Sequence, residues 1–249
     1  MNKKLDYVNI LTLSSVDSTN TFLKEKYKRR ECDINTFLAS DSQFAGKGRS
    51  GRKFYSPKNG LYMSLVIKPD CSPACAVNIT ALTAVAVCRA LEKAGSEPLK
   101  IKWVNDIYDE KNKKLCGILC ESVSDGNGKL ECVVAGVGIN LVKPLEPFPR
   151  ELENVAGCVF NEEADDLKNR VAAEFINCFF ELYADFGKQL YKREYTERSC
   201  VIGKRIYVTG DGSVKAGTAL KINDDLSLKV QFDDNTEKDI FFGEISVKL

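Results

Sequence analysis

The pattern of apolar and polar positions predicts that the longer, N-terminal part of the chain mixes helices with strands. Residues 77–91 are apolar and rich in alanine, and residues 165–190 carry apolar side chains at intervals of three and four, so each stretch is predicted to be a helix. A third helix is predicted after residues 17–20, a polar run that offers several N-caps. Short apolar runs between these helices predict strands at residues 8–13, 37–39, 61–67, 99–104, 115–122 and 131–141.

The pattern of apolar and polar residues changes from Gly203 onward. Short alternating stretches at residues 205–208, 215–222, 227–232 and 238–242 are separated by turn signals rich in Gly, Asn and Asp. Closely spaced strands of this kind predict a small β-barrel. We therefore expect an α+β fold, with one domain over residues 1–199 and a second over residues 200–249.

Composition excludes several classes of protein. Lys and Arg number 36 against 35 Asp and Glu, so the formal charge of +1 gives no overall attraction to nucleic acid or to an anionic membrane. No apolar run approaches the roughly eighteen residues of a membrane-spanning helix, and the polar N-terminus is unlike a signal peptide. We expect neither a membrane span nor secretion.

Histidine is absent from the chain, whereas cysteine is frequent. Without imidazole, Ser-His-Asp, Cys-His and HExxH mechanisms are excluded. The ten cysteines include no CxxC pair, and Cys116 and Cys120, in one predicted strand, are too far apart to bridge. We interpret most cysteines as small buried residues of a reduced, cytoplasmic protein.

A basic segment, residues 45–54, lies between the predicted strands at 37–39 and 61–67. Residues 42–68 contain six Lys or Arg and no Asp or Glu. Glycines at 46, 48 and 51 let the backbone approach a ligand closely, and the neighbouring cations suit phosphate oxygens. The alternative is a solvated basic loop, and composition alone leaves both open. No Walker pattern occurs, which argues against a P-loop nucleotidase.

Two further motifs stand at predicted strand ends. Residues 102–106 read KWVND, and Asp106 is a candidate ligand of Mg²⁺, although it also suits an ordinary hairpin turn. Residues 136–140 read GVGIN, which fits either a close strand crossing or a ligand platform. Each motif taken alone leaves the simpler interpretation ahead.

Taken together and in order, the motifs resemble those of the biotin protein ligases. They are STN at 18–20, GKGRSGR at 46–52, KWVND at 102–106 with KKLCGIL at 113–119, and GVGIN at 136–140. The run at 242–247 resembles the closing strand of that family. The resemblance covers essentially the whole chain and lacks the N-terminal winged-helix domain of the bifunctional members, so a monofunctional type without a DNA-binding domain is expected.

The resemblance implies a fold and an activity. The fold would be a mixed sheet with helices, related to class II aminoacyl-tRNA synthetases, followed by an SH3-like barrel. The protein would use ATP and Mg²⁺ to activate biotin as biotinyl-5′-AMP and transfer it to a lysine of a biotin carboxyl carrier domain. Holding two anions together needs cations and oriented N–H groups rather than histidine. No nucleic acid or membrane partner is expected, and a homodimer is left open.

The resemblance also implies roles for individual residues. Lys114 would bridge the biotin carboxylate and the α-phosphate, Arg49 would assist it as the second catalytic residue, and Asp106 would hold Mg²⁺. Biotin would be bound by Ser18, Thr19, Asn20, Gln43, Gly46, Lys47, Lys114, Gly117 and Gly136. The nucleotide would be bound by Arg49, Arg52, Phe54, Asn105, Asp106 and Asn140.

Three positions depart from the usual family pattern. Lys47 stands where Arg is usual, Val104 where Pro is usual, and Phe54 where a Trp would pack on adenine. Lys lacks the bidentate fork of Arg, and Phe offers a smaller stacking face, so weaker contact with the nucleotide is expected.

Two other functions are weighed against a biotin ligase. A lipoate protein ligase performs a similar adenylation on a related fold, but its usual RRxxGG signature is absent. A non-catalytic SH3-like RNA-binding protein would use the basic segment on a phosphate backbone. Against it, the part from Gly203 holds seven Lys or Arg and eight Asp or Glu, and so has no net positive charge.

Overall fold

The computed structural model describes residues 7–70, 76–125, 127–144, 146–210, 213–241 and 244–247. A seven-stranded mixed sheet has the strand order β1-β2-β3-β7-β6-β5-β4, in which only β1 and β2 run parallel. Its strands are β1 Asn9–Leu13, β2 Thr36–Ser40, β3 Leu61–Ile67, β4 Lys100–Lys102, β5 Asp106–Tyr108, β6 Lys114–Ser124 and β7 Leu130–Ile139.

The two faces of this sheet are covered by different helices. On one face, α1 (Thr19–Lys28) packs on β2, β3 and β7, and its Leu23 joins a small apolar cluster with Leu38 and Val66. On the other, α2 (Ala76–Lys93) lies on β6 and β7 and is itself flanked by α4 (Leu167–Ala184) and α5 (Tyr191–Glu197). A single turn, α3 (Arg150–Glu153), precedes α4. The central strand β3 is buried throughout, which accounts for its nearly continuous apolar run.

A second, five-stranded antiparallel sheet forms the C-terminal part, in the order β11-β10-β9-β8-β12. Its strands are β8 Arg205–Gly210, β9 Ser213–Ile222, β10 Leu228–Phe232, β11 Glu237–Ile240 and β12 Glu244–Val247. The predicted α+β fold with a small second β unit is therefore confirmed. Residues 211–212 and 242–243, in a predicted turn and the start of the predicted closing strand, lie outside the described residues.

Two predicted elements are wrong in their extent. The helix predicted over residues 165–190 ends at Ala184, and the chain turns through a short 3₁₀ segment before α5 begins. Phe186 and Tyr191 stack across this turn with ring centroids 5.9 Å apart, so apolar spacing continues although the helix does not. The strand predicted over 99–104 is only β4, because residues 103–105 turn and Asp106 begins β5.

The eight cysteines in the described ranges are free, including Cys116 and Cys120, and most of them are buried. Burial raises the pKa of Cys120 to about 11, so its thiol stays protonated near neutral pH. Cys71 and Cys75 lie outside the described residues. Within the described ranges, no helix is long and apolar enough to cross a membrane.

Candidate active site

One cleft brings together the motifs that are scattered along the chain. It opens between α1, the basic segment, the turn after β4 and the facing strands β6 and β7, and Ile245 of the C-terminal sheet also reaches it. Its volume is about 170 Å³. Of the residues proposed from the sequence, those lining it are Ser18, Thr19, Asn20, Gln43, Lys47, Arg49, Arg52, Phe54, Asn105, Asp106, Lys114, Gly117 and Gly136.

The basic segment is closed on itself as a tight hairpin. Gly48 N–H donates to the Arg52 carbonyl at 2.7 Å, and Phe54 N–H donates to the Gly46 carbonyl at 2.9 Å. Ser50 and Gly51 turn the chain with φ values of 53° and 74°, in the left-handed region where glycine is least strained. Lys47 and Arg52 remain exposed at the mouth of the cleft. This arrangement places a concentration of positive charge there.

Arg49 links the basic segment to the turn after β4. Its Nη1 donates to Asn105 Oδ1 at 3.0 Å, and Asn105 Nδ2 donates to the Ile118 carbonyl at 2.8 Å. The Ile118 N–H returns a bond to the Asn105 carbonyl at 2.9 Å. Asn105 is thus held against β6 by two bonds, and its orientation is set before any ligand arrives.

Lys114 and Asp106 form a close ion pair inside the cleft. Lys114 Nζ lies 2.7 Å from Asp106 Oδ1, and both side chains are largely buried. Beyond this ion pair the buried Oδ1 accepts no hydrogen bond. The neighbouring Lys113 points away and donates to the Asn154 carbonyl at 2.8 Å. The structure therefore brings only one of the two lysines into the site.

A second half-buried lysine, Lys102, also lines the cleft. Its Nζ lies 5.4 Å from the centre of the Tyr108 ring. Burial lowers the pKa of Lys102, and the nearby Lys114 and Arg52 add to this effect while Asp106 opposes it. A desolvated cation of this kind gains most from a bound anion.

The inner end of the cleft carries neutral polar groups. Gln43 Oε1 accepts from Thr19 N–H at 2.8 Å and from its hydroxyl at 3.2 Å. Ser64 on β3 donates to Asn20 Oδ1 at 2.7 Å, and Asn20 Nδ2 donates to Glu121 Oε2 at 2.9 Å. Sequence reasoning missed Ser64 and Glu121. A single hydroxyl in the apolar run 61–67 was the available signal for Ser64, because a buried hydroxyl needs a partner.

Glycines form the floor of the cleft. Gly117 on β6 pairs with Gly138 on β7, and a Cβ at Gly138 would lie 2.6 Å from the Phe54 ring. At Gly117 the corresponding distance to the ring is 2.9 Å, and a Cβ on Gly136 would collide with the Asn20 amide. Flat rings and chains can therefore lie directly on the backbone of the two strands.

Two residues predicted from the sequence to bind ligand do not line the cleft, and a third, Phe54, lines it but lies over the glycine floor. Gly46 is buried beside the cleft rather than lining it, since a Cβ there would meet the Phe54 carbonyl and the Ser56 hydroxyl at 2.5 Å. Asn140 does not line it either, because its Nδ2 faces the Lys114 carbonyl at 3.3 Å. Phe54 packs on the glycine floor and edge-on to Tyr62, where it covers the space a ligand would use.

The fit of a magnesium ion depends on one carboxylate. Within the described ranges, no cluster of three or more His, Cys, Asp or Glu side chains is arranged to hold a metal. Mg²⁺ usually binds through one or two carboxylates together with substrate phosphates and water. Asp106 suits this role because its buried Oδ1 accepts no hydrogen bond beyond the Lys114 ion pair and faces a cleft rich in cations that attract phosphate.

Comparisons with known proteins agree on the family. The profile of the biotin/lipoate A/B protein ligase family matches residues 12–140. The bifunctional ligase/repressor BirA of Bacillus subtilis is 30% identical over 217 residues, which cover 85% of this chain and 66% of that protein. The chain thus spans just under two thirds of the length of this relative.

Solved structures agree on the fold. The biotin protein ligase from Aquifex aeolicus in complex with biotin and ATP superposes with a TM-score of 0.76 at 24% identity, covering 97% of this chain and 99% of that one. The biotin acetyl coenzyme A carboxylase synthetase from Helicobacter pylori, with bound biotinylated ATP, gives a TM-score of 0.65 at 21% identity. It covers 94% of this chain and 100% of that one.

Proposed function

Because the chain belongs to the biotin/lipoate A/B protein ligase family, we propose that it is a biotin–protein ligase. In this proposal it joins biotin to AMP at the expense of ATP and then passes the biotinyl group to a lysine of a biotin carboxyl carrier domain. The two structural neighbours, a biotin protein ligase in complex with biotin and ATP and a biotin acetyl coenzyme A carboxylase synthetase with bound biotinylated ATP, support this choice of acid.

The observation that carries the proposal is the polarity of the cleft along its length. Its inner end holds neutral donors and acceptors around Thr19 and Gln43, its floor is bare backbone at Gly117 and Gly138, and its mouth is cationic. A ligand with a polar uncharged ring, an apolar chain and a carboxylate that meets a nucleotide phosphate would match all three regions.

The reaction needs charge stabilisation and alignment. In the first step a carboxylate oxygen attacks the α-phosphorus, and the bond to the pyrophosphate oxygen breaks. Lys114 is placed to neutralise both anions as they approach, and Arg49 stabilises the phosphate from the basic segment. Bound at Asp106 and the phosphates, Mg²⁺ would offset charge on the leaving group.

In the second step the amine of the carrier lysine attacks the acyl carbon of the adenylate. AMP leaves with the electrons of the broken acyl–phosphate bond, and the amine gives up a proton. The chain's contribution is to keep the mixed anhydride away from water. The basic segment, which lines the cleft and is tied to the turn after β4 by the Arg49–Asn105 bond, is suited to this task.

The proposed partners are biotin, ATP and the carrier domain. The sequence leaves a homodimer open, and the division into domains at residue 199 stays a prediction from the sequence. We propose a cytoplasmic location, which the free cysteines of the described ranges support.

A transfer assay tests the proposal. The protein is incubated with MgATP, biotin and a carrier domain, and pyrophosphate release and the mass of the carrier are measured. We expect both pyrophosphate and a carrier heavier by one biotinyl group, with no mass gain when the carrier lysine is replaced by Arg. Transfer of lipoate instead of biotin would identify a lipoate ligase, and no pyrophosphate with either acid would remove the enzyme assignment.

A further inference from the structure

Residues 103 and 104, just before Asn105 and Asp106, are anchored from two remote parts of the chain. The buried Trp103 Nε1 donates to the Leu226 carbonyl at 2.8 Å, across 123 residues of sequence. The buried Tyr195 hydroxyl donates to the Val104 carbonyl at 2.9 Å, across 91 residues. These bonds leave the cleft side of the turn free for Asn105 and Asp106.

Both anchors are themselves rigid. Leu226 lies in a closed turn between β9 and β10, in which its N–H donates to the Asn223 carbonyl and the Asn223 N–H donates to the Ser227 carbonyl. Tyr195 is fully buried on α5, a helix fixed to α2 by the ion pairs of Glu194 with Arg89 and of Arg198 with Glu92. Burial raises the pKa of Tyr195, so its hydroxyl remains a donor.

From these contacts we infer that Tyr195 is a positioning residue for the adenylation step. It does not line the cleft, and it acts by holding the Val104 carbonyl so that Asn105 and Asp106 stay aligned with Arg49 and Lys114. Its partner across the turn, Trp103, carries the same constraint to the C-terminal sheet. Only the kinetic part of this inference, the effect on the rate of adenylate formation, rests on the proposed function.

Tyr191 provides a matched control on the same helix. It is equally buried, and its hydroxyl donates to Asn78 Oδ1 at 3.0 Å, away from the cleft. Tyr195→Phe and Tyr191→Phe therefore each remove one buried hydroxyl and one hydrogen bond from α5. A purely structural role for Tyr195 would make the two variants behave alike.

The experiment measures adenylate formation in single turnovers, the KM for biotin, and amide hydrogen exchange. We expect Tyr195→Phe to slow adenylate formation roughly 3- to 10-fold, with KM within about twofold, and Tyr191→Phe to leave both unchanged. The Ile118 N–H, which donates to the Asn105 carbonyl, should exchange faster in Tyr195→Phe only. Thermal unfolding checks that both variants fold.

Two results would overturn the inference. One is an equal change in rate in the two variants, and the other is Ile118 exchange in Tyr195→Phe that matches the unmodified protein. If the unmodified protein forms no biotinyl-adenylate, the proposed function fails, but the exchange measurement still decides whether Tyr195 holds Asn105 in place.

Discussion

Lys113 and Lys114 are sequence neighbours with opposite surroundings. Lys114 lies in the cleft, 2.7 Å from Asp106, whereas Lys113 binds a backbone carbonyl on the far side. This follows from the alternation of side chains at the start of β6, where successive residues face opposite sides of a strand. At the residue scale, the two lysines have the same charge and adjacent positions in the sequence, so variants of them differ mainly in whether the side chain lies in the cleft.

We expect Lys114→Ala to slow adenylate formation roughly 10²-fold, about 3 kcal/mol of transition-state stabilisation, because the ammonium group meets charge that develops during the reaction. Biotin affinity without ATP should fall less than the rate does. Single-turnover measurement of both variants checks this. Lys113→Ala is the control and should lose little. Equal losses in the two variants would contradict a catalytic role for Lys114.

At the scale of a single element, the basic segment carries several positive charges close together. It is closed as a hairpin by backbone hydrogen bonds, and Lys47, Arg52 and Lys53 lie exposed on it, so we expect a bound anion to lower the repulsion between these like charges. The structure shows this hairpin tied to the turn after β4 by the Arg49–Asn105 hydrogen bond. Ligand binding would then shift its population toward closure rather than create it.

Limited trypsin digestion measures this closure. We expect cleavage after Lys47, Arg52 and Lys53 to be suppressed by biotin with ATP, because phosphate binding holds the hairpin over the cleft. Arg29 and Arg30, exposed at the end of α1, provide sites that the ligands should leave unchanged. Cleavage of the hairpin at the same rate with and without ligands would contradict a closing element.

The packing of α5 on α2 depends on Glu194, which lies between two arginines. Its Oε2 is 2.6 Å from Arg89 Nη2, and its Oε1 is 2.9 Å from Arg198 Nη2. Burial raises the pKa of Glu194, but the hydrogen bonds from the two guanidinium groups outweigh this and hold it below its ordinary value. A lowered pKa in the folded state means that the ionised carboxylate contributes stability above the unfolded pKa, and that this contribution disappears as pH falls.

Glu194→Gln should therefore lower the free energy of unfolding at pH 7 by about 1 kcal/mol, and the difference from the unmodified protein should shrink below the ordinary pKa of a glutamate. Denaturant unfolding at pH 7 and at acid pH measures it. Glu197→Gln is the control, since its partner Arg193 is almost fully exposed. A difference that grows at acid pH would contradict this account.

At the scale of the whole molecule, local patterns predicted most elements and the ordered motifs predicted the cleft. Strand β3, helices α1 and α2 and the C-terminal strands follow from periodicity and turn residues. The chain reversal before α5 could not be predicted from periodicity, because Phe186 and Tyr191 continue the apolar spacing across it. The contacts of Ser64, Glu121 and Tyr195 could not be predicted either, because their hydrogen-bond partners lie 44 to 101 residues away in the sequence. Such contacts exist only once the chain has folded.

Both sheets also contribute to one continuous apolar cluster. Ile101 and Trp103 from the first sheet region belong to it together with Ile206, Leu228 and Ile245 from the second. Trp103 adds a hydrogen bond across this contact. The C-terminal sheet is therefore packed directly behind the turn that carries Asn105 and Asp106.

The floor made by Gly117 and Gly138 limits how this protein can evolve. A surface of bare backbone has no side chain to exchange, so every substitution on it adds atoms and closes space that Phe54 already contacts. New preferences among carboxylic acids must therefore arise from the residues above the floor. A mutant library aimed at unnatural acids would vary position 54 and leave both glycines untouched.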